Sequence, residues 1–511
     1  MIIELDRKSN VPLYMQIKLA IKRMIEQGIL PSGHKLPSSR DLAAQLGVNR
    51  NTVNNAYEEL IADDYLEAHV GQGTFVKKVE AEEGHYLNPF TGEAYQPRYE
   101  LNWSHLFPQN PRFDQVLHEI HAGETGEGVI SFANSIPDSR LFPYEKIRSI
   151  MTKLSRQVDA SFLDYGPVLG SQALRELLRQ RFKFEGIDFN TNDILITSGS
   201  QQGVDLAIKT LLKPGDTVAM EIPSYTGAIN LFEMHDLNIL PIPIDHNGMI
   251  VDALEDVLKT NKIKMIYTIP TFQNPTGVTM SSKRREKLLT LAREHQVPVF
   301  EDDFSGFLRY EGQPLYSLKA LDTGGFVMHS GTFSKALFPG FRVGWLIVPR
   351  QALERVAMIK KATDISTNLL GQVVLTNFIE KGWFDKHLAK MRRTYKSRRD
   401  TMLSTMEQFF PDQVKWNRPE GGLTLWVQLP KGMRSGHLLM EARRKGVVFT
   451  TGSFFTADGR DLNGFRLCFT RLEERKIKKG LKILGALLQL EIKHFRERKP
   501  EGELADIISV V

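Results

Sequence analysis

The sequence has a single cysteine, Cys468, among 511 residues. No intramolecular disulfide can form, and a metal site built on several thiolates is excluded. Such thiol economy fits a reducing compartment. Long apolar runs are also missing: no stretch of about 18 apolar residues occurs, so nothing reads as a membrane span. The start, MIIELDRKSN, lacks the apolar core of a signal peptide. These absences predict a soluble, cytoplasmic protein with no membrane partner. A one-sided charge is lacking too, since a net +6 over this length decides little about partners. What the chain does have is 41% hydrophobic residues, enough for large cores. At roughly 150 residues per domain, about three folding units are expected.

The first unit is legible by period. In PLYMQIKLAIKRMIEQG, Leu13, Ile17, Ala20, Ile21, Met24 and Ile25 recur at helical spacing, and Gly28 stops the helix. In LPSSRDLAAQLGVNRNTVNNAYEEL, Ser38 or Ser39 can cap a short helix through Gln45. Gly47 makes the turn, and a second helix from about Arg50 to Asp63 buries Val53, Ala56, Tyr57 and Leu60. Two short helices around a glycine turn form a helix-turn-helix. YLEAHVGQGTFV then reads as two short strands around Gly71 and Gly73, a wing. From Arg7 to Arg50 there are eight Lys or Arg against two acids, and from Asn51 to Val70 five acids and no Lys or Arg. Cations at one end suit DNA phosphates, and Asn49, Arg50, Asn51 and Thr52 open the helix that would enter the major groove. Charge alone would fit an ordinary small helical domain; the helix-turn-helix-wing order favours DNA.

LPSSRDLAAQLGVNRNTV and GQGTFV resemble the GntR family of winged-helix regulators over residues 8–77. The resemblance implies that Arg40 and Arg50 contact DNA, with Thr52 nearby and the wing at Gly71 in the minor groove. His69 stands where relatives often carry Arg, which implies a weaker or pH-sensitive wing contact. Residues 78–111 are polar, with scattered Pro and Gly, and read as a linker. Its aromatic residues, Tyr86 and Trp103 among them, suit docking on a domain surface.

Beyond about residue 130 apolar strand-like runs (DILITSG, DTVAMEIP, KMIYTIP, VPVFEDD, GFVMHSG) alternate with helical stretches. The pattern predicts an α/β fold with a mostly parallel sheet, with ligands beyond the carboxyl ends of its strands. Five clusters fall there. Gly199-Ser200-Gln201 opens a helix whose free N–H groups suit a phosphate. Tyr225 in PSY could stack on a flat ligand or simply pack in the core. Asn274 in QNPTG offers an amide, although Asn-Pro is also ordinary turn chemistry. Asp302 and Asp303 end an apolar strand, where a carboxylate needs a partner. In HSGTFSKALFPGFRVGW, Lys335 lies among apolar residues with Thr332, Ser334 and Arg342 close in sequence. A lysine so enclosed loses its charge readily and becomes a nucleophile towards carbonyls.

Each cluster alone is unremarkable in its setting. Together they name a flat ring bearing an aldehyde, a ring nitrogen and a phosphate: pyridoxal 5'-phosphate. Lys335 would form the Schiff base and Asp302 would pair with the ring nitrogen, keeping the ring an electron sink. Tyr225 would stack on the ring, and Asn274 would bond its phenolic oxygen. Ser200, Gln201, Thr332, Ser334 and Arg342 would take the phosphate.

The order GSQQG, PSY, NPTG, EDD, FSK resembles the fold-type I aminotransferases over residues 112–490, with a large domain at about 140–365 and a small one from about 366 plus the N-terminal part. Residues 491–511 are expected to be a tail. With its head, the chain resembles the MocR subfamily of GntR regulators, whose GabR members respond to GABA. The resemblance implies a head-to-tail homodimer. It places Tyr165 on the partner subunit's cofactor phosphate and Arg466 on a carboxylate, where an interior arginine paired with an acid is the alternative. One departure stands out. Aminotransferases carry a Tyr two or three residues after the ring-nitrogen Asp, and here those positions are Phe304 and Ser305. Gly227 adds no second cation beside Tyr225. The expected function is a DNA-binding regulator that senses an amino compound by aldimine exchange at Lys335. An active aminotransferase with an accessory head is the alternative, and a cofactor-free structural use of the fold is a third.

Overall fold

The computed structural model describes residues 12–26, 30–63, 65–69, 73–77, 128–156 and 164–498. Gly71 and the expected linker 78–111 lie outside the described residues, as do residues 499–511 of the expected tail. The chain divides into two compact units, Met1–Pro108 and Gln109–Val511.

In the first unit the apolar stripe of α1 (Leu13–Glu26) buries Ile17 and Ile21 completely. Helix α2 (Ser39–Leu46) is capped by the Ser38 hydroxyl, which accepts from the Asp41 N–H, and ends at Gly47 with φ 63°. Helix α3 (Arg50–Ala62) packs Val53, Ala56, Tyr57 and Leu60 into the same core. Lys18 of α1 reaches Glu59 at 2.7 Å and Asp63 at 2.9 Å, tying α1 to α3. The wing strands β1 (Leu66–His69) and β2 (Gly73–Val76) pair antiparallel.

The second unit is built on an eight-stranded sheet. Its strands are β4 (Asn192–Thr197), β5 (Thr217–Ile222), β6 (Asn238–Asp245), β7 (Gly248–Met249), β8 (Ile263–Thr268), β9 (Val299–Asp303), β10 (Val327–Thr332) and β11 (Gly344–Pro349). They lie in the order β4-β11-β10-β9-β8-β5-β6-β7. The five strands from β10 to β6 in that order run parallel, while β11 is antiparallel to both its neighbours and β7 to β6. Strands buried on both faces read as continuous apolar runs rather than alternation, and β4 and β11 are buried along their whole length. A smaller sheet orders β12 (Lys415–Trp416), β13 (Thr424–Gln428), β16 (Gly464–Cys468) and β15 (Thr450–Thr451). Strand β3 (Ile130–Ser131) pairs with β14 (Val447–Val448), so the start of the unit folds against its end. The expected tail from residue 491 begins instead as helix: Glu474–Arg498 is continuous, because Ile492 is buried and Phe495 packs on the core. No helix among the described residues is long and apolar enough to cross a membrane.

Candidate functional site

The carboxyl ends of β4, β5, β8, β9 and β10 converge, and the five sequence clusters follow those ends. After β4 the chain passes Gly199 at φ 95° and enters the helix Ser200–Leu211, which has no side-chain cap. Its first-turn N–H groups are therefore available to an anion. Arg342 arrives from beyond β10 in the left-handed region, φ 51°. Its guanidinium donates to the Ser198 carbonyl at 2.9 Å and lies 3.4 Å from the Ser334 hydroxyl. The φ of 95° at Gly199 favours glycine, and a Cβ there would also come within 2.9 Å of Arg342 Nη2. The structure brings Ser334 and Arg342 beside the Gly199 turn that leads into Ser200, forming a cup of donors at the helix start.

Two residues assigned to that cup are otherwise engaged. The Thr332 hydroxyl accepts from the Ser334 N–H at 3.1 Å and faces the Val343 carbonyl. The Gln201 side chain accepts from the Tyr225 hydroxyl at 3.0 Å and donates to the Gly227 carbonyl at 2.8 Å. Thr332 thus shapes the loop, and Gln201 offers the cup its backbone while fixing Tyr225. A Cβ at Gly227, in the first turn of the helix Thr226–Met234, would sit 2.4 Å from the Tyr225 ring, so no side chain fits there while the ring keeps its place.

Lys335 closes the short turn Phe333–Lys335 after β10, and its amine donates to the Ser135 carbonyl at 2.8 Å. Burial, with Arg466 and Arg342 adding repulsion, lowers it to about 8. Asp302 is 1% exposed. Burial pushes its carboxyl up to about 7, against the pull of a hydrogen bond from Tyr267. The Tyr267 hydroxyl donates to Oδ2 at 2.8 Å, and Oδ1 is buried with no partner. Buried polar atoms rarely stay unpaired, so Oδ1 calls for a donor such as a protonated ring nitrogen.

Arg466 lies on β16 and donates to Asn274 Oδ1 at 3.1 Å, to Thr450 Oγ1 at 3.2 Å and to the Ala133 carbonyl. Its guanidinium stacks 4.9 Å from the centroid of Phe455, and its Nε is buried without a partner. No carboxylate among the described residues pairs with it, so the acid-paired alternative is not what the fold builds. Phe304 packs into the core, and the buried Ser305 hydroxyl has no partner. Tyr165 stands 76% exposed. No group of His, Cys, Asp and Glu among the described residues could hold a metal.

Sequence reasoning passed over Tyr267, Ser135 and Ala133. Tyr267 carried a usable signal, because a tyrosine inside an apolar strand run needs a hydrogen-bond partner when buried. The two carbonyls come from a distant segment and leave no side-chain pattern.

In the first unit Arg40, Asn49, Arg50 and Asn51 are exposed, and Thr52 is half-buried. Asn49 is also the cap of α3: its side chain accepts from the Asn51 N–H at 2.9 Å. Arg50 Nε lies 3.4 Å from the Ser39 hydroxyl. Gly73 opens β2 opposite His69.

Residues 138–484 match the family of aminotransferase class I and II, and residues 13–76 match the bacterial regulatory proteins of the gntR family. The HTH-type transcriptional regulator YdfD of Bacillus subtilis, itself uncharacterized, is 31% identical over 95% of this chain and 98% of its own length. The probable rhizopine catabolism regulatory protein MocR of Rhizobium meliloti is 27% identical over 95% of this chain and 96% of its own. Among solved structures, a kynurenine aminotransferase of Pyrococcus horikoshii in complex with PMP superposes with TM-score 0.72 at 40% identity, over 77% of this chain and 98% of that one. The cofactor is pyridoxal 5'-phosphate. The unpaired Asp302 oxygen, the lowered Lys335 amine and the anion cup beside Gly199 fit its ring nitrogen, aldehyde and phosphate. The chain belongs to the aminotransferase class I and II family and, through its gntR-family head, to the MocR-like HTH-type regulators.

Proposed function

We propose that this pyridoxal-phosphate-dependent transcriptional regulator senses an amino compound at Lys335 and passes the result to its DNA-binding head. The observation that carries the reading is an amine lowered to about 8 beside Arg466, in a chain that also holds a helix-turn-helix. Bound pyridoxal phosphate supplies an aldehyde that condenses reversibly with primary amines. Lys335 is the amine that would hold this aldehyde, and its depressed pKa keeps much of it neutral and nucleophilic near pH 8. Arg466 holds the effector's carboxylate, which competes with Asn274 Oδ1 for the same guanidinium. Asp302 Oδ1 takes the ring nitrogen, Asn274 the phenolic oxygen, and Tyr225, pinned by Gln201, flanks the ring. Ser200, Ser334 and Arg342 hold the phosphate, with Gln201 contributing backbone and Thr332 shaping the loop. Tyr165, exposed in one chain, reaches the phosphate of a partner subunit in a head-to-tail homodimer. Residues 8–77 bind operator DNA through Arg40, Asn49, Arg50, Asn51, Thr52 and the wing at Gly71 and Gly73. Residues 78–111 link that head to the cofactor-binding part, whose large domain is about 140–365.

Lys335→Ala tests the reading. The lysine-linked absorbance of the cofactor and the effector-dependent change in the DNA footprint should both disappear. An intact effector response in that variant rules the mechanism out.

A second reading, turnover as an aminotransferase, draws on the 40% identity to the Pyrococcus horikoshii enzyme. Phe304 and Ser305 weigh against it, because the tyrosine hydroxyl that would tune the ring's phenolic oxygen is missing, with only the shorter Ser305 hydroxyl in its stead. Single-turnover assays with a panel of amino acids decide: if none converts the cofactor to its amine form, the enzyme reading fails.

A further inference from the structure

Successive residues of a strand point to opposite faces. Asp302 faces the cofactor site, and Asp303 lines a separate cavity of about 650 Å³ behind it, together with His329 of β10. No step proposed above uses that cavity. Its depth holds unmet hydrogen-bonding capacity. Asp303 Oδ1 is buried with no partner, and so is Nδ1 of His329, a residue only 1% exposed. His329 Nε2 lies 3.5 Å from Asp303 Oδ2. The Asp303 oxygen is an acceptor, whereas the imidazole, whose proton affinity is raised against burial by Asp303, Glu301 and Glu185, points a nitrogen at Asp303 and leaves the other free.

The wall also carries three arginines, two of them held by carboxylates; the Arg181 Nε, buried without a hydrogen bond, lies 3.7 Å from Glu185. Arg181 pairs with Asp385 at 3.0 Å and lies over the Phe307 ring at 4.8 Å. Arg309 pairs with Glu420 at 2.6 Å, and Arg392 donates its Nε to the Phe307 carbonyl at 2.7 Å. The rim is unusual in another way. Phe184, at the end of the helix Gln172–Phe184, is 93% exposed, and Tyr316 is 63% exposed. Both line the cavity. Exposed rings lining the same cavity as an acid are suited to a cation with an apolar body, since a ring face attracts positive charge and covers apolar surface.

We propose that this cavity is a second ligand site, and that it takes a small organic cation, an amidinium, guanidinium or ammonium carried on an apolar body. The cation's N–H groups meet Asp303 Oδ1, and its apolar part lies against Phe184 and Tyr316. The proposal does not rest on the sensing reading: Asp303 and His329 act on neighbouring Asp302 through their charge, and the probe cannot condense with the cofactor.

Benzamidinium is a suitable probe: it has the charge and the ring but no primary amine to condense with the cofactor's aldehyde. It is titrated calorimetrically into the cofactor-loaded full chain, with benzoate as the anion of matching shape. The expected result is saturable benzamidinium binding, weakened about tenfold in Asp303→Asn, the loss of one charge-assisted hydrogen bond. Phe184→Ala, which removes an exposed ring and leaves the core intact, should weaken it about threefold. Absence of saturable binding at millimolar benzamidinium overturns the proposal. So does undiminished affinity in either variant, or benzoate binding that shows the same dependence on Phe184.

Discussion

The two binding regions of this chain are built on opposite principles. The residues of the cofactor region, Lys335, Asp302, Asn274 and Arg466, are largely shielded from water and are held by one another, by a backbone carbonyl or, for Asp302, by the Tyr267 hydroxyl. Those of the head, Arg40, Asn49, Arg50 and Asn51, stand in solvent and are only lightly held. Burial shifts proton affinities, and a lowered Lys and a raised Asp are what imine chemistry on a pyridine ring demands. Phosphate binding demands the reverse, cations whose charge is permanent and whose side chains can follow a backbone. Substitutions should therefore act all-or-none in the first region and by degrees in the second.

The sharpest break is Lys335→Ala, where the lysine-linked absorbance is lost outright while the head's intrinsic affinity for operator DNA, measured without effector, is unchanged. Next comes Asp302→Asn, which leaves the ring nitrogen without a counter-charge and should weaken cofactor binding about a hundredfold, read by fluorescence titration. The same variant has an opposite effect on the cofactor-free chain. The Asp302 carboxyl sits at about 7 in the fold against an ordinary 3.8. It is thus protonated when folded and ionised when unfolded between those values. Its contribution to stability is full below the ordinary value and is lost as pH rises through about 7. Asn has no charge to bury, so the unfolding free energy of cofactor-free Asp302→Asn should fall less between about pH 5 and pH 8 than that of the parent, a difference on the order of a few kcal/mol at most.

The graded side of the comparison is tested in the head. Arg50→Ala removes one exposed cation at the start of α3. Operator affinity should fall about tenfold at low salt, and the slope of log affinity against log salt should shrink by about one. A loss that salt does not alter would mean that Arg50 acts through its contact with Ser39 instead.

Legibility in the sequence divides along the same line. The head was readable because its order rests on local rules: the apolar period of α1, the Ser38 cap and the turn at Gly47. The strand-end clusters were readable because each combines a strand end with a residue type that such a place seldom tolerates without use. What stayed hidden was division of labour between neighbours. Nothing in GSQQG says that the Gln201 side chain serves Tyr225 and Gly227, and nothing in GTFSK says that Thr332 spends its hydroxyl on its own loop. Asn49 looked like a base reader and is at least a helix cap. The helix continuing past residue 490 depends on a core it meets only in three dimensions.

Tyr267 sharpens the comparison most finely, because it lies inside the buried region yet touches no cofactor atom in the proposed arrangement. Its hydroxyl anchors Asp302 Oδ2, which leaves Oδ1 as the free oxygen. Tyr267→Phe keeps the ring, its stacking on Phe300 at 5.8 Å and the volume, and removes only the donor. A hydrogen bond to a charged group contributes about 1.5–3 kcal/mol in full, but most of this steadies Asp302 with or without cofactor. Cofactor affinity should therefore fall only about threefold. The more telling sign is in proton affinity: the hydrogen bond holds the Asp302 carboxyl down against burial. Without it the carboxyl rises further, and the pH below which cofactor binding weakens should move upward. A threefold loss of affinity with an unmoved pH profile would assign Tyr267 to packing alone.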